Sequence, residues 1–293
     1  MSREEDNESS SVRVPVIAWI LMFACLLRVA AVVVRFENLE VDRDAYLEIA
    51  QNLLAGHGYC STPGQPTAYR PPLYPLLVAA CSYAGGAVVL GAVQILLGTA
   101  TVWLTWLLAG RCQLSRLSAA IAASLVAIDP LLVEYTTQAM TETLSTFLVT
   151  MLLVATLSGG NELAKSGGVG AIFGLAALCR PSIWAFGMLA GAIWLFNNFR
   201  NGWGQSLPLA RVKSRQLKVA FVCIFAVALT VSPWVIRNLV TFGRPILMTT
   251  HGGYTLLLGN NDTFFNEVVA AGGDATWSAL SLADWQSENK GRL

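Results

Sequence analysis

Five side chains in this sequence combine a reactive type with a costly place: Asp42, Asp44, Arg70, Glu142 and Arg237 each stand at the edge of a long apolar run. A charge at a lipid–water boundary that is not simply solvated is expensive and often marks function. Asp42 and Asp44 come soon after the first apolar run. An aspartate with an ordinary pKa of about 3.9 is ionised at neutral pH, so it can accept a proton or align a nucleophile. Arg70 arrives just before Pro71-Pro72, and Arg237 follows Pro233-Trp234. Guanidinium groups hold phosphate oxygens two at a time. Each residue also has a plainer reading. Asp44, and less readily Asp42, suits a helix N-cap; Arg70 can snorkel to headgroups; Arg237 can anchor an interface beside Trp234; Glu142 favours a helix start.

The elements that position them are mostly hydrophobic helices. The 293 residues are 55% hydrophobic, and 13% are Asp, Glu, Lys or Arg, against roughly 25% in a soluble domain. The mean hydropathy is +0.56. Apolar runs at 14–34, 88–109, 117–133, 143–157, 168–179, 183–196 and 219–236 predict an all-α, polytopic transmembrane bundle of about seven spans. The segment 73–83 follows the Pro pair and ends at Gly85-Gly86, which predicts a short interfacial or re-entrant helix. The acidic start and the length of the first run predict an uncleaved first span rather than a secretory signal.

Short cytoplasmic loops carry an excess of Lys and Arg. The segment 197–218 holds Arg200, Arg211, Lys213, Arg215 and Lys218 with no acidic residue, which predicts a cytoplasmic side for it, for Arg111 and Arg116, and for the turn with Lys165. The polar tail 1–13 then lies in the cytoplasm. The loop 35–86, the turn 129–142 and everything after Arg237 lie on the outer face of the plasma (inner) membrane, including the tail 262–293. Within the first outer loop, Tyr46, Leu47, Ile49, Ala50, Leu53 and Leu54 recur at the spacing of one helical face, which predicts an amphipathic helix on the membrane surface, with Glu48, Gln51 and Asn52 turned away. Gly56 and Gly58 end it, and Pro63, Gly64 and Pro66 enforce a turn.

Other classes find little footing. A formal charge of +1 and a pI near 7.6 give no global field for nucleic acid. The six cysteines sit in or beside apolar runs without CxxC spacing and read as small hydrophobes. His57 and His251 lie too far apart in sequence to suggest a ligand cluster; no cofactor is predicted, and a divalent metal held by carboxylates alone stays open. No repeat marks a solenoid, and no inverted pair of interrupted helices marks a transporter site.

The stretch VDRDAYLEIAQNLLAGHGYCSTPGQPTAYRPPLYPLL, residues 41–77, resembles the first outer loop of the GT-C membrane glycosyltransferases. It is most similar to bacterial relatives of the protein O-mannosyltransferases and of the lipid A aminoarabinose transferase. The turn EYTTQAMTETLSTFL, with Glu142 at a span start, and the segment 231–261, with Pro-Trp, Arg-Asn and Gly-Asn in order, agree with that family. The resemblance covers 14–261 and implies inverting transfer of a sugar from a polyprenyl-phosphate donor to a lipid, glycan or protein acceptor at the outer face. It implies Asp42 as the catalytic aspartate, four residues before Tyr46, with Asp44 as the alternative. It further implies Arg70 and Arg237 at the donor phosphate, and Tyr46, Glu142 and Asn238 in acceptor or accessory roles. Family members are usually longer, so a truncated chain is expected. The rival expectations are a transporter or flippase for a polyprenyl-linked sugar, and a non-catalytic membrane subunit.

Overall fold

A computed structural model describes residues 13–201, 209–250 and 259–270, with Gly252 and Gly272. Most of the N-terminal tail, the middle of the basic 197–218 connection and most of the tail after 262 lie outside these described residues. The described residues are mostly helical. It runs through α1 (Arg13–Val34), a 3-10 turn (Phe36–Leu39), α2 (Tyr46–Leu54), a two-stranded hairpin of β1 (Cys60–Thr62) and β2 (Gln65–Pro66), and α3 (Leu73–Arg111). Next come α4 (Arg116–Ile128), α5 (Pro130–Thr136), α6 (Glu142–Thr156), α7 (Glu162–Cys179), α8 (Ile183–Asn201) and α9 (Leu209–Phe242). A last short helix, α10 (Asp262–Phe264), leads into a π-helical turn.

Among the described residues, four helices are long and apolar enough to cross a membrane: Val16–Val34 within α1, α3, α7, and Arg215–Phe242 within α9. α4 and α5, bent by 50°, make a fifth if taken together. The seven runs of the sequence are thus all helical, but seven spans are not reached on length. α6 has 15 residues, about 22 Å at 1.5 Å per residue, against a hydrocarbon core of about 30 Å. The apolar part of α8, Ile183–Ile193, is shorter still.

The run 117–133 is broken because Asp129 leaves the helix, accepts a hydrogen bond from the Leu132 amide at 2.9 Å and caps α5, with Pro130 at its first position. α3 absorbs the segment expected as a separate short helix, yet Gly85 (φ 155°) and Gly86 (φ 71°) break it internally. Only glycine takes such angles without a steric cost.

Small residues let the helices approach. A methyl group at Gly170 would stand 2.3 Å from the Cys223 carbonyl oxygen, and one at Gly174 would stand 2.7 Å from Thr230 Cβ, so α7 lies tightly on α9. Gly98 of α3 makes room for Arg28, whose Nε would lie 2.6 Å from an added Cβ. Arg28 is 1% exposed in the middle of α1. It donates to the Ala24, Ala127 and Val126 carbonyls at 3.1 to 3.3 Å. Two of these end α4, so a buried cation closes the last turn of a helix that stops inside the bundle. The main core gathers side chains of α2, α3, α6 and α7; a smaller one joins α1, α3 and α4. Trp19, Leu26 and Val33 on α1, and Phe221, Ile224 and Leu229 on α9, are exposed. An apolar exterior of this kind belongs in lipid.

Candidate active site at the outer-loop end of the bundle

The first loop forms its helix over 46–54 as the apolar spacing predicts. Tyr46, Ile49 and Ala50 are buried, and Leu54 is exposed. Asn52 departs from expectation. It is buried and donates to the Cys60 and Ser61 carbonyls at 3.1 and 2.8 Å, tying the helix to the hairpin strand.

The two aspartates divide the work differently from the plainer sequence reading. The helix N-cap position is Ala45, in the left-handed region (φ 61°) and with no side-chain cap. Asp42 performs the capping instead, accepting the Glu48 amide at 2.8 Å while remaining exposed. Asp44 turns inward. Its carboxylate accepts from Arg70 Nη2 at 2.7 Å and its carbonyl from Arg70 Nε at 2.9 Å. This pair is largely covered, with 13% of the Arg70 side chain and 32% of the Asp44 side chain exposed. The Arg70 guanidinium also lies 5.3 Å from the Tyr46 ring centre and 4.7 Å from that of Tyr69.

Tyr46 is the junction of the site. Its ring meets Tyr74 of α3 edge-on at 5.1 Å. Burial pushes its phenol up to about 12, against the opposing pull of Arg70 and a Thr141 hydrogen bond, with Asp44 and Glu142 adding to the rise. At neutral pH it is therefore a neutral hydrogen-bonding group. Beyond it, Glu142 opens α6 and pairs with Arg180 at 3.2 Å across the α6–α7 hairpin. The other oxygen of Glu142 is buried without a hydrogen-bond partner among the described residues. Gln94 of α3 donates to the Gln138 carbonyl, and its own buried oxygen has no hydrogen-bond partner among the described residues. The result is a polar chain, Asp44–Arg70, Tyr46, Thr141, Glu142–Arg180, set in a mostly apolar bundle.

Arg237 is brought to the same loop from α9. Its Nη1 donates to the Thr67 carbonyl at 2.7 Å and to Asn238 Oδ1 at 2.9 Å; its Nη2 donates to the Tyr59 carbonyl at 2.7 Å. Tyr59, Trp234 and Phe242 lie against its guanidinium within 5.2 to 5.4 Å. Asn238 is fully buried and donates to the Ile246 carbonyl at 3.0 Å, and Trp234 donates to that of Met248 at 3.0 Å. The Thr250 amide reaches the Ala68 carbonyl at 3.0 Å. Arg237 and Asn238 thus strap the first loop and the segment after α9 onto one another.

All seven residues singled out in the sequence, Asp42, Asp44, Tyr46, Arg70, Glu142, Arg237 and Asn238, fall at this end of the bundle. Arg28, Arg180 and Gln94 were not singled out. The available signal was an ionisable or amide side chain within or between apolar runs. Among the described residues no group of three or more His, Cys, Asp or Glu gathers closely enough to hold a metal. Fold and surface together define an α-helical, multi-pass membrane protein. No family model, curated protein or solved structure matches this chain.

Proposed function

We propose that this protein is a glycosyltransferase that moves a sugar from a polyprenyl-phosphate donor to an acceptor at the outer face of the plasma membrane. The observation that carries this reading is Asp42: an exposed carboxylate just past the first span, held by the α2 amide, at the end of the bundle that also carries the partly covered Arg70–Asp44 and Arg180–Glu142 pairs. The GT-C-like cassette of residues 41–77 supports the same role. In the proposed step the acceptor oxygen or nitrogen attacks the anomeric carbon and gives its proton to Asp42. The bond from that carbon to the phosphate oxygen breaks, and the lipid phosphate leaves with the electron pair. Asp44 orients Arg70. Arg70 and Arg237 contribute positive charge toward the departing phosphate. Tyr46 and Glu142 border the acceptor, and Asn238 holds Arg237.

The reading includes a seven-span topology with the N-terminus in the cytoplasm, α6 and α8 crossing a locally thinned or protein-lined path. Membranes containing this chain are expected to incorporate radiolabelled sugar from a polyprenyl-phosphate donor pool above the level of membranes lacking it. Equal incorporation would sink the proposal. A second reading, a polyprenyl-linked sugar transporter or a non-catalytic membrane subunit, is favoured by one observation: Asp42 and Arg237 each already have a structural partner.

A further inference from the structure

Three arginines serve this end of the bundle, and their bonding differs. Arg70 is neutralised by Asp44 and covered. Arg237 spends both terminal nitrogens on Thr67, Tyr59 and Asn238, with three aromatic rings against its guanidinium. Arg180 is different. It stands in extended backbone between α7 and α8 (φ −145°, ψ 119°), 47% of its side chain is exposed, and among the described residues its guanidinium makes one ion pair, Nη2 to Glu142 Oε1 at 3.2 Å. Arg70 and Arg237, by contrast, make two and three side-chain hydrogen bonds. With Arg180 half open to water, a pair of this length contributes little to stability even though Glu142 is largely covered, so holding Glu142 is a weak reason for an arginine here. The unpartnered buried oxygen of Glu142 is the second observation. A buried carboxylate oxygen without a donor is costly, and a hydroxyl beside the ligand's phosphate would supply one.

We infer that Arg180 is the principal binding residue for the phosphate of an amphiphilic phosphate ester, with the free oxygen of Glu142 open to a hydroxyl of the acceptor beside it. This rests on the lipid-phosphate reading above and adds a residue to it. Arg180 lies at the end of a candidate span, where the phosphate of a membrane-anchored ester would stand with its chain in the bilayer. Glu142, as a like charge, tempers phosphate affinity while it keeps the guanidinium edge aimed.

The test is equilibrium binding of farnesyl phosphate, farnesol and inorganic phosphate to the purified full chain in lipid nanodiscs, for the unaltered protein, Arg180→Gln, Arg180→Lys and Glu142→Gln. The expected result is binding of farnesyl phosphate that weakens at least about tenfold in Arg180→Gln. Arg180→Lys recovers part of it, and Glu142→Gln keeps or tightens it. Farnesol binding stays unchanged throughout, which also reports an intact fold. Inorganic phosphate competing as well as farnesyl phosphate would overturn the lipid assignment. Equal weakening in Arg180→Gln and Glu142→Gln would make the pair structural and overturn the inference. Binding insensitive to Arg180 would overturn it alone, whereas no binding of farnesyl phosphate by the unaltered chain would also overturn the donor reading.

Discussion

Asp42 and Asp44 stand two residues apart, and the backbone between Asp44 and Tyr46 decides their fates. Ala45 takes a left-handed conformation, which directs Asp44 inward to Arg70 and leaves Asp42 over the start of α2. That conformation costs a non-glycine residue about 1–2 kcal/mol, which is offset locally by the two bonds from Arg70. Ala45→Gly is expected to leave the fold intact and raise stability by up to about 1 kcal/mol, whereas Ala45→Val lowers it by at least about 1 kcal/mol, both read by thermal unfolding in detergent. Asp44→Asn removes the charge that balances a largely covered guanidinium and should cost about 1–2 kcal/mol by the same measure. Tyr46 adds a pH dependence. Its folded pKa of about 12 exceeds the usual value of about 10, so the neutral phenol is favoured by folding. That contribution is full below about pH 10 and is lost as pH rises toward about 12. Unfolding followed from pH 8 to 11.5 should show a decline above pH 10 that Tyr46→Phe reduces. The reactive types were legible in the sequence because charges stand out against apolar runs. Their partners were not: Glu142 meets Arg180 across 38 residues, and nothing in spacing reveals a bond closed by the fold.

At the scale of elements, hydropathy located every long helix but not its interruptions. Asp129-Pro130 carries a cap and a first-position proline, a helix-start signal that apolar composition on both sides concealed. The break is tolerable inside a bundle because Arg28 supplies donors to the Val126 and Ala127 carbonyls, which a membrane interior would otherwise leave without water. Arg28→Ala should therefore destabilise by about 3 kcal/mol or more, through lost donors and a cavity together. A loss below about 1 kcal/mol in detergent unfolding would contradict this account of the break. Gly170→Val should separate α7 from α9, since even a methyl group meets backbone there; the expected sign is loss of the folded, monodisperse species in size-exclusion chromatography.

At the scale of the whole molecule, the apolar exterior of α1 and α9 marks the lipid-facing surface, and the polar chain around Tyr46 marks one end of the bundle. The orientation proposed from the Lys and Arg count puts that end outside. Cys112, exposed in the turn after α3, then faces the cytoplasm. An impermeant maleimide should leave it unmodified in intact cells and label it in inverted vesicles, with Thr62→Cys in the exposed hairpin behaving oppositely. As proposed, Asp42 is a base as well as a cap, and one substitution separates the two roles. Asn caps helices about as well as Asp, so Asp42→Asn keeps an oxygen for the Glu48 amide and removes the group that accepts a proton. Sugar transfer from a polyprenyl-phosphate donor, measured beside the thermal midpoint of the same preparation, is the most direct measurement. Loss of transfer with an unchanged midpoint is expected; undiminished transfer by Asp42→Asn would mean that Asp42 is a cap alone.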